Sequence, residues 1–99
     1  MSEHRADLRL RILLILQLQN AYTANQEVLI AKLRAEGYTL NRDLLQVELA
    51  WLDEIADAVV DRTTGGVHIV TLTGNGLEHV EGARAIPGIR CPRPEELPR

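Results

Sequence analysis

The stretch Asn41-Arg42-Asp43-Leu44-Leu45-Gln46-Val47-Glu48-Leu49-Ala50-Trp51-Leu52, with Thr63-Thr64-Gly65-Gly66-Val67 after it, decides the fold class. Asn41 is a favoured helix N-cap, and Asp43 sits in the first turn, where the helix dipole favours a negative charge. Leu45, Leu49, Leu52 and Ala56 line one stripe, widened by Leu44, Trp51 and Ile55. Arg42, Gln46, Ala50, Asp53 and Glu54 fall on the opposite face. A short apolar strand from Ala58 to Asp61 follows. Thr63 to Gly66 reads as a hairpin tip needing positive φ, and Val67 to Leu72 is rich in β-branched residues.

Upstream, Thr23 and Gln26 have capping-box spacing, which predicts a helix from there to about Glu36. Gly37 stops it. Tyr38, Thr39 and Leu40 make a short turn into the helix that begins after Asn41. The first helix runs from about Arg5 to Leu18. Its residues Ile12 to Leu16 point all the way round the axis, the mark of a helix buried on more than one face. Downstream, Thr73 caps a last short helix through Leu77 and Val80, which Gly74 and Gly76 weaken. All four prolines lie between Pro87 and Pro98, so residues 83–99 read as an extended tail, ordered where it docks.

The order is helix, helix, tight turn, helix, strand, glycine hairpin, strand, short helix. The sequence therefore predicts a mainly α fold with a small β-hairpin: a winged helix-turn-helix in residues 1–82 with a proline-rich tail in 83–99. The third helix is then the recognition helix and Thr63–Gly66 the wing. With no phenylalanine among 99 residues, the core is Leu, Ile, Val and Ala, with Trp51, Tyr22 and Tyr38 as its aromatics.

Several residue patterns resemble a known family. They are Asn41-Arg42-Asp43, Leu49-Ala50-Trp51-Leu52, Gly65-Gly66-Val67, Thr71-Leu72-Thr73, and the tail Pro87-Gly88-Ile89-Arg90 with Pro92-Arg93-Pro94. Together they resemble small proteins encoded by Mu-like phages and prophages, described as related to ArsR-type winged-helix domains. The resemblance implies a phage origin and a winged helix. It implies no established activity and transfers no site residues.

The scaffold points to duplex DNA as a partner, and so to a DNA-binding transcriptional regulator or accessory factor. Arg42 and Gln46 on the third helix are the candidate base readers, Arg62 and His68 the candidate wing contacts, and Arg90 and Arg93 the candidate tail contacts. The plainer reading of Arg42, Gln46 and Arg62 is a solvated surface. Charge opposes tight binding. The chain carries a formal −3, residues 1–82 carry −5, and the tail carries +2. Asp43, Glu48, Asp53 and Glu54 outweigh Arg42 on the third helix, and carboxylates facing phosphates repel them. Glu48 falls inside the apolar arc and is expected to pair with an arginine such as Arg9 or Arg11. The other reading is a protein-interaction or assembly module that binds another phage or host protein.

The all-round apolar run also predicts a homodimer through Leu8, Ile12, Ile15, Leu16 and Ile86. No acid–base pair, phosphate loop or metal-ligand spacing stands out, so no enzyme activity, metal or cofactor is expected. The single Cys91 excludes an internal disulfide. The apolar runs are too short to span a bilayer and the N-terminus is charged, so the expected location is the cytoplasm of the bacterial host.

Overall fold

The computed structural model describes residues 3–97; Met1, Ser2, Pro98 and Arg99, and with them the ends of the two segments expected from the sequence, lie outside the described residues. The elements are α1 (Glu3–Gln17), β1 (Thr23–Asn25), α2 (Gln26–Ala35), α3 (Arg42–Glu54), β2 (Val59–Thr64), β3 (Val67–Leu72) and α4 (Gly74–Val80). Short 3₁₀ turns occupy Asn20–Tyr22 and Pro94–Glu96. The architecture is four helices on a small antiparallel sheet, compatible with a winged helix.

The helix ends follow their local chemistry. The Asn41 side chain accepts from the Leu44 amide at 2.9 Å, and Thr73 Oγ1 accepts from the Gly76 amide at 3.1 Å. At the end of α2, the Tyr38 amide reaches Leu33 O and the Gly37 amide reaches Arg34 O, a Schellman closure. The wing turns through Gly65 and Gly66, both at positive φ (59° and 81°), with Thr64 opposite Val67.

The sheet corrects the expected lone hairpin. It has three strands in the order β1-β3-β2. Thr23, read from sequence as the first residue of a capping box, is instead in β1 opposite Thr71, and the two hydroxyls share a hydrogen bond at 3.0 Å. The N-cap of α2 is Asn25, whose side chain accepts from the Val28 amide. A three-residue strand forms here because a ready partner, β3, lies alongside it.

α1 packs against α2, α4 and β3. Leu8, Ile12, Ile15 and Leu16 are therefore buried within the single chain, together with Leu10, Leu13 and Leu14. The apolar run needs no second chain to cover it, so the reason for placing these residues at a dimer seam is removed. Ile86 is half-buried and also packs on this core. Tyr22, expected in the core, is exposed, and Trp51 is only half-buried.

The segment 83–97 returns across α1. The Arg90 amide donates to Ala6 O at 3.1 Å, Arg9 Nη1 donates to Gly88 O at 3.1 Å, and Ile89 is buried. Among the described residues, no helix is long and apolar enough to cross a membrane.

Candidate nucleic-acid interface

The outer face of α3 differs in charge from its sequence. Glu48, halfway along the helix, is fully buried. Its Oε1 accepts from Arg9 Nε at 2.6 Å and its Oε2 from Arg5 at 2.7 Å. The Arg9 guanidinium also lies 3.7 Å from the centre of the Trp51 ring. Glu48 thus faces the core with its charge neutralised. Asp53 is likewise engaged: its carboxylate accepts from the Asp61 amide at 3.0 Å, tying the end of α3 to the base of the wing. Of the four carboxylates on α3, Asp43 and Glu54 remain exposed.

The six residues expected to contact DNA fall into separate groups. Arg42 is exposed at the start of α3 and pairs with Glu27 of α2 at 2.8 Å. That hydrogen bond holds the Glu27 carboxyl below the usual range, against a smaller opposing desolvation. Gln46, one turn further, is half-buried and its amide donates to Gln26 Oε1 at 2.9 Å. This bond orients the amide and braces α2 against α3. Arg62 is exposed on β2 opposite Ile69. His68 sits on the other face of the hairpin, its Nδ1 3.1 Å from both Asp61 oxygens.

The tail arginines are not alongside α3. Arg90 pairs with Asp7 of α1 at 2.7 Å and with Glu96 at 3.0 Å. Its pKa is raised, chiefly by the Glu96 hydrogen bonds. Burial works to raise the Asp7 carboxyl, but hydrogen bonds from Tyr38 and Arg90 outweigh it and hold it below the usual range. Arg90 also lowers the Glu96 carboxyl, by a hydrogen bond first and by charge second. Arg93 is exposed, and its backbone amide donates to Glu96 at 2.8 Å. The structure therefore groups Arg42 and Gln46, leaves Arg62 on the hairpin, turns His68 onto the Asp61 carboxylate, and removes Arg90 into ion pairs.

Two further residues join the α3 face. Arg34 lines a shallow cavity of about 380 Å³ with Glu27, Ile30, Asn41, Arg42 and Asp43. Val47 is an exposed apolar residue near the middle of α3. The sequence held a signal for each: Arg34 lies in the last turn of α2, beside the tight turn, and Val47 follows Gln46 outside the apolar stripe. Among the described residues, no three His, Cys, Asp or Glu side chains are grouped to hold a metal.

No protein-family profile matches the chain, and no solved structure does. Two relatives are similar over most of its length. An uncharacterised protein of Haemophilus influenzae is 28% identical over 91 residues, covering 92% of this chain and 88% of the relative. The uncharacterised protein gp26 of Escherichia phage Mu is 35% identical over 71 residues, covering 72% of this chain and 73% of the relative. With that identity and coverage, the chain belongs to the family of the Mu phage protein gp26.

Proposed function

We propose that this chain is a non-enzymatic accessory protein of a Mu-like phage, a winged helix-turn-helix that binds duplex DNA weakly through the start of α3 and the wing. The observation that supports this reading is the withdrawal of Glu48 from the outer face of α3 into a buried pair with Arg9 and Arg5. Two arginines cancel the Glu48 charge, so the repulsion expected from four carboxylates falls to that of three, of which Asp53 is turned toward the hairpin. Arg42 is held by an exposed ion pair, and such pairs are weak enough to be exchanged for a phosphate. Arg62 at the wing adds a second contact.

A labelled duplex from the protein's own locus, titrated at several salt concentrations, tests this. Binding should appear at low salt and fall steeply, with roughly 0.9 in log–log slope for each phosphate neutralised. Arg42→Ala should weaken preference for the matched site, and Arg62→Ala should weaken all duplexes alike. Absence of binding at low salt overturns the reading.

A second reading, a protein-interaction module, is favoured by the end of α1. Leu18 is 84% exposed, and Tyr22 beside it is exposed on a backbone where Ala21 and Tyr22 both have positive φ (55° and 56°). Two successive non-glycine residues in that region cost roughly 1–3 kcal/mol each. Leu18 is also the apolar residue that this end of α1 offers to a second copy. A Leu18→Glu variant that keeps its fold but loses a phage or host partner, or its self-association, would favour this reading.

A further inference from the structure

We propose that His79 is the latch of a proton-sensitive strap: residues 83–97 stay docked on α1 and α4 while the His79 imidazole is neutral, and lift when it gains a second proton. His79 is fully buried on α4. The Ile86 amide donates to its Nδ1 at 3.1 Å, and its Nε2 lies 2.9 Å from Arg90 O. An amide can only donate and a carbonyl can only accept. Nδ1 therefore carries no proton and Nε2 carries one, which fixes a neutral ring in a single tautomer. One imidazole thus holds the strap at two points four residues apart.

A second proton has a single place to go, Nδ1, where the Ile86 N–H already points. That bond breaks, and a buried cation appears beside a donor. The charged groups on the surrounding elements are already committed. Asp7 of α1 pairs with Arg90 of the strap, and Arg9 of α1 pairs with Glu48 of α3. Glu96 of the strap binds Arg90 and Arg11. On α4 itself, Glu78 pairs with Arg84, and Glu81 is exposed. The ring nitrogens hydrogen-bond to strap backbone, and none of these carboxylates hydrogen-bonds to them. Relief comes by lifting the strap, which hydrates the ring.

The rest of the strap is built to move as a unit. It is attached through the Arg90–Ala6 backbone bond, the Arg9–Gly88 bond, buried Ile89, and Leu97 lying against Gly82. Lifting it uncovers the seat of Ile89 and returns the Arg90–Asp7–Glu96 cluster to water.

Amide hydrogen exchange and histidine resonances, followed by NMR from about pH 8 to about pH 5, test the latch. Asp7 and Glu96 are held below the usual carboxylate range and stay ionised over that window, so their ion pairs do not contribute. One proton linked to opening shifts the opening equilibrium by about tenfold per pH unit. The Ile86, Ile89 and Arg90 amides should lose protection by that factor, corrected for intrinsic exchange, while β3 amides do not. Their transition should coincide with titration of His79 and not with that of His68 or His4. His79→Gln, which keeps one acceptor and one donor, should remove the pH dependence. Flat protection in the wild-type protein, or a transition tracking His68 or His4, overturns the proposal whether or not the variant folds.

Discussion

Arg9 meets Glu48 at 2.6 Å and Arg42 meets Glu27 at 2.8 Å, yet the two arginine–glutamate pairs have opposite consequences. The side chains of the first pair are 4% and 0% exposed; those of the second are 63% and 57% exposed. Water screens the second pair, so either partner exchanges readily for a ligand. The first pair is sealed between α1, α3 and the strap, with Trp51 over the guanidinium and Gly88 O accepting from it. Removing one partner there strands a buried charge. Chemistry that looks identical in sequence is sealed in the core at one place and open to solvent at the other.

The largest effect expected from breaking this contrast is at Glu48. Glu48→Ala leaves Arg9 buried without its counter-charge and should cost about 3–5 kcal/mol of stability. Replacing both partners with apolar residues, as in Arg9→Met with Glu48→Leu, should recover most of that loss. Denaturant unfolding of the two single variants and the double variant measures both. If Glu48→Ala costs no more than Glu27→Ala, burial does not separate the pairs.

Two glycines sharpen the comparison without charge. A Cβ on Gly76 would lie 2.3 Å from Ala58 O and 2.6 Å from Leu72 Cδ1, whereas one on Gly74 meets nothing within 4 Å. Gly76→Ala should therefore cost about 1–3 kcal/mol by overpacking. Gly74→Ala, two residues away on the same helix, should stabilise by about 0.5–1 kcal/mol through helix propensity. Thermal melts of the two variants should shift in opposite directions.

Acid should act next, through the strap's ion pairs. Asp7 and Glu96 both have lowered pKa values when folded, so the unfolded chain binds their protons more readily. Their contribution is present at neutral pH and is lost as the pH falls below about 4. Melting temperature measured from pH 7 down to 3 should drop across that range, and Asp7→Asn with Glu96→Gln should flatten the drop. An unchanged drop in the double variant would place the acid sensitivity elsewhere.

The smallest effect on stability belongs to the exposed pair. Glu27→Gln should leave the melting temperature unchanged within error. Because it releases Arg42 and removes an α2 carboxylate beside the start of α3, it should raise affinity for duplex DNA at low salt several-fold. Unchanged affinity would mean that Arg42 is not at the interface.

Much of this molecule was legible before folding. The Asn41 and Thr73 caps, the Gly37 stop and the Gly65-Gly66 tip depend on residues within a few positions of one another. Local backbone geometry therefore suffices to read them. That Glu48 pairs with an arginine of α1 was also legible, because a carboxylate inside an apolar stripe must find a cation; between Arg9 and Arg11, packing chose Arg9. Arg5, its second partner, lies 43 residues away and gave no such signal.

What the sequence by itself determined is the order of the helices and the glycine hairpin, and the types of residue able to cap, turn and pair. The tertiary structure alone decided that Thr23–Asn25 is a strand, because its hydrogen bonds come from β3, whose Thr71 is 48 residues beyond Thr23. It decided that the apolar run of α1 is covered within one chain, by α2, α4 and β3. It also decided which arginines face solvent and which are packed against other segments. Arg90 and Arg42 carry the same charge, but exposure is set by packing against distant segments, which periodicity along the chain does not encode.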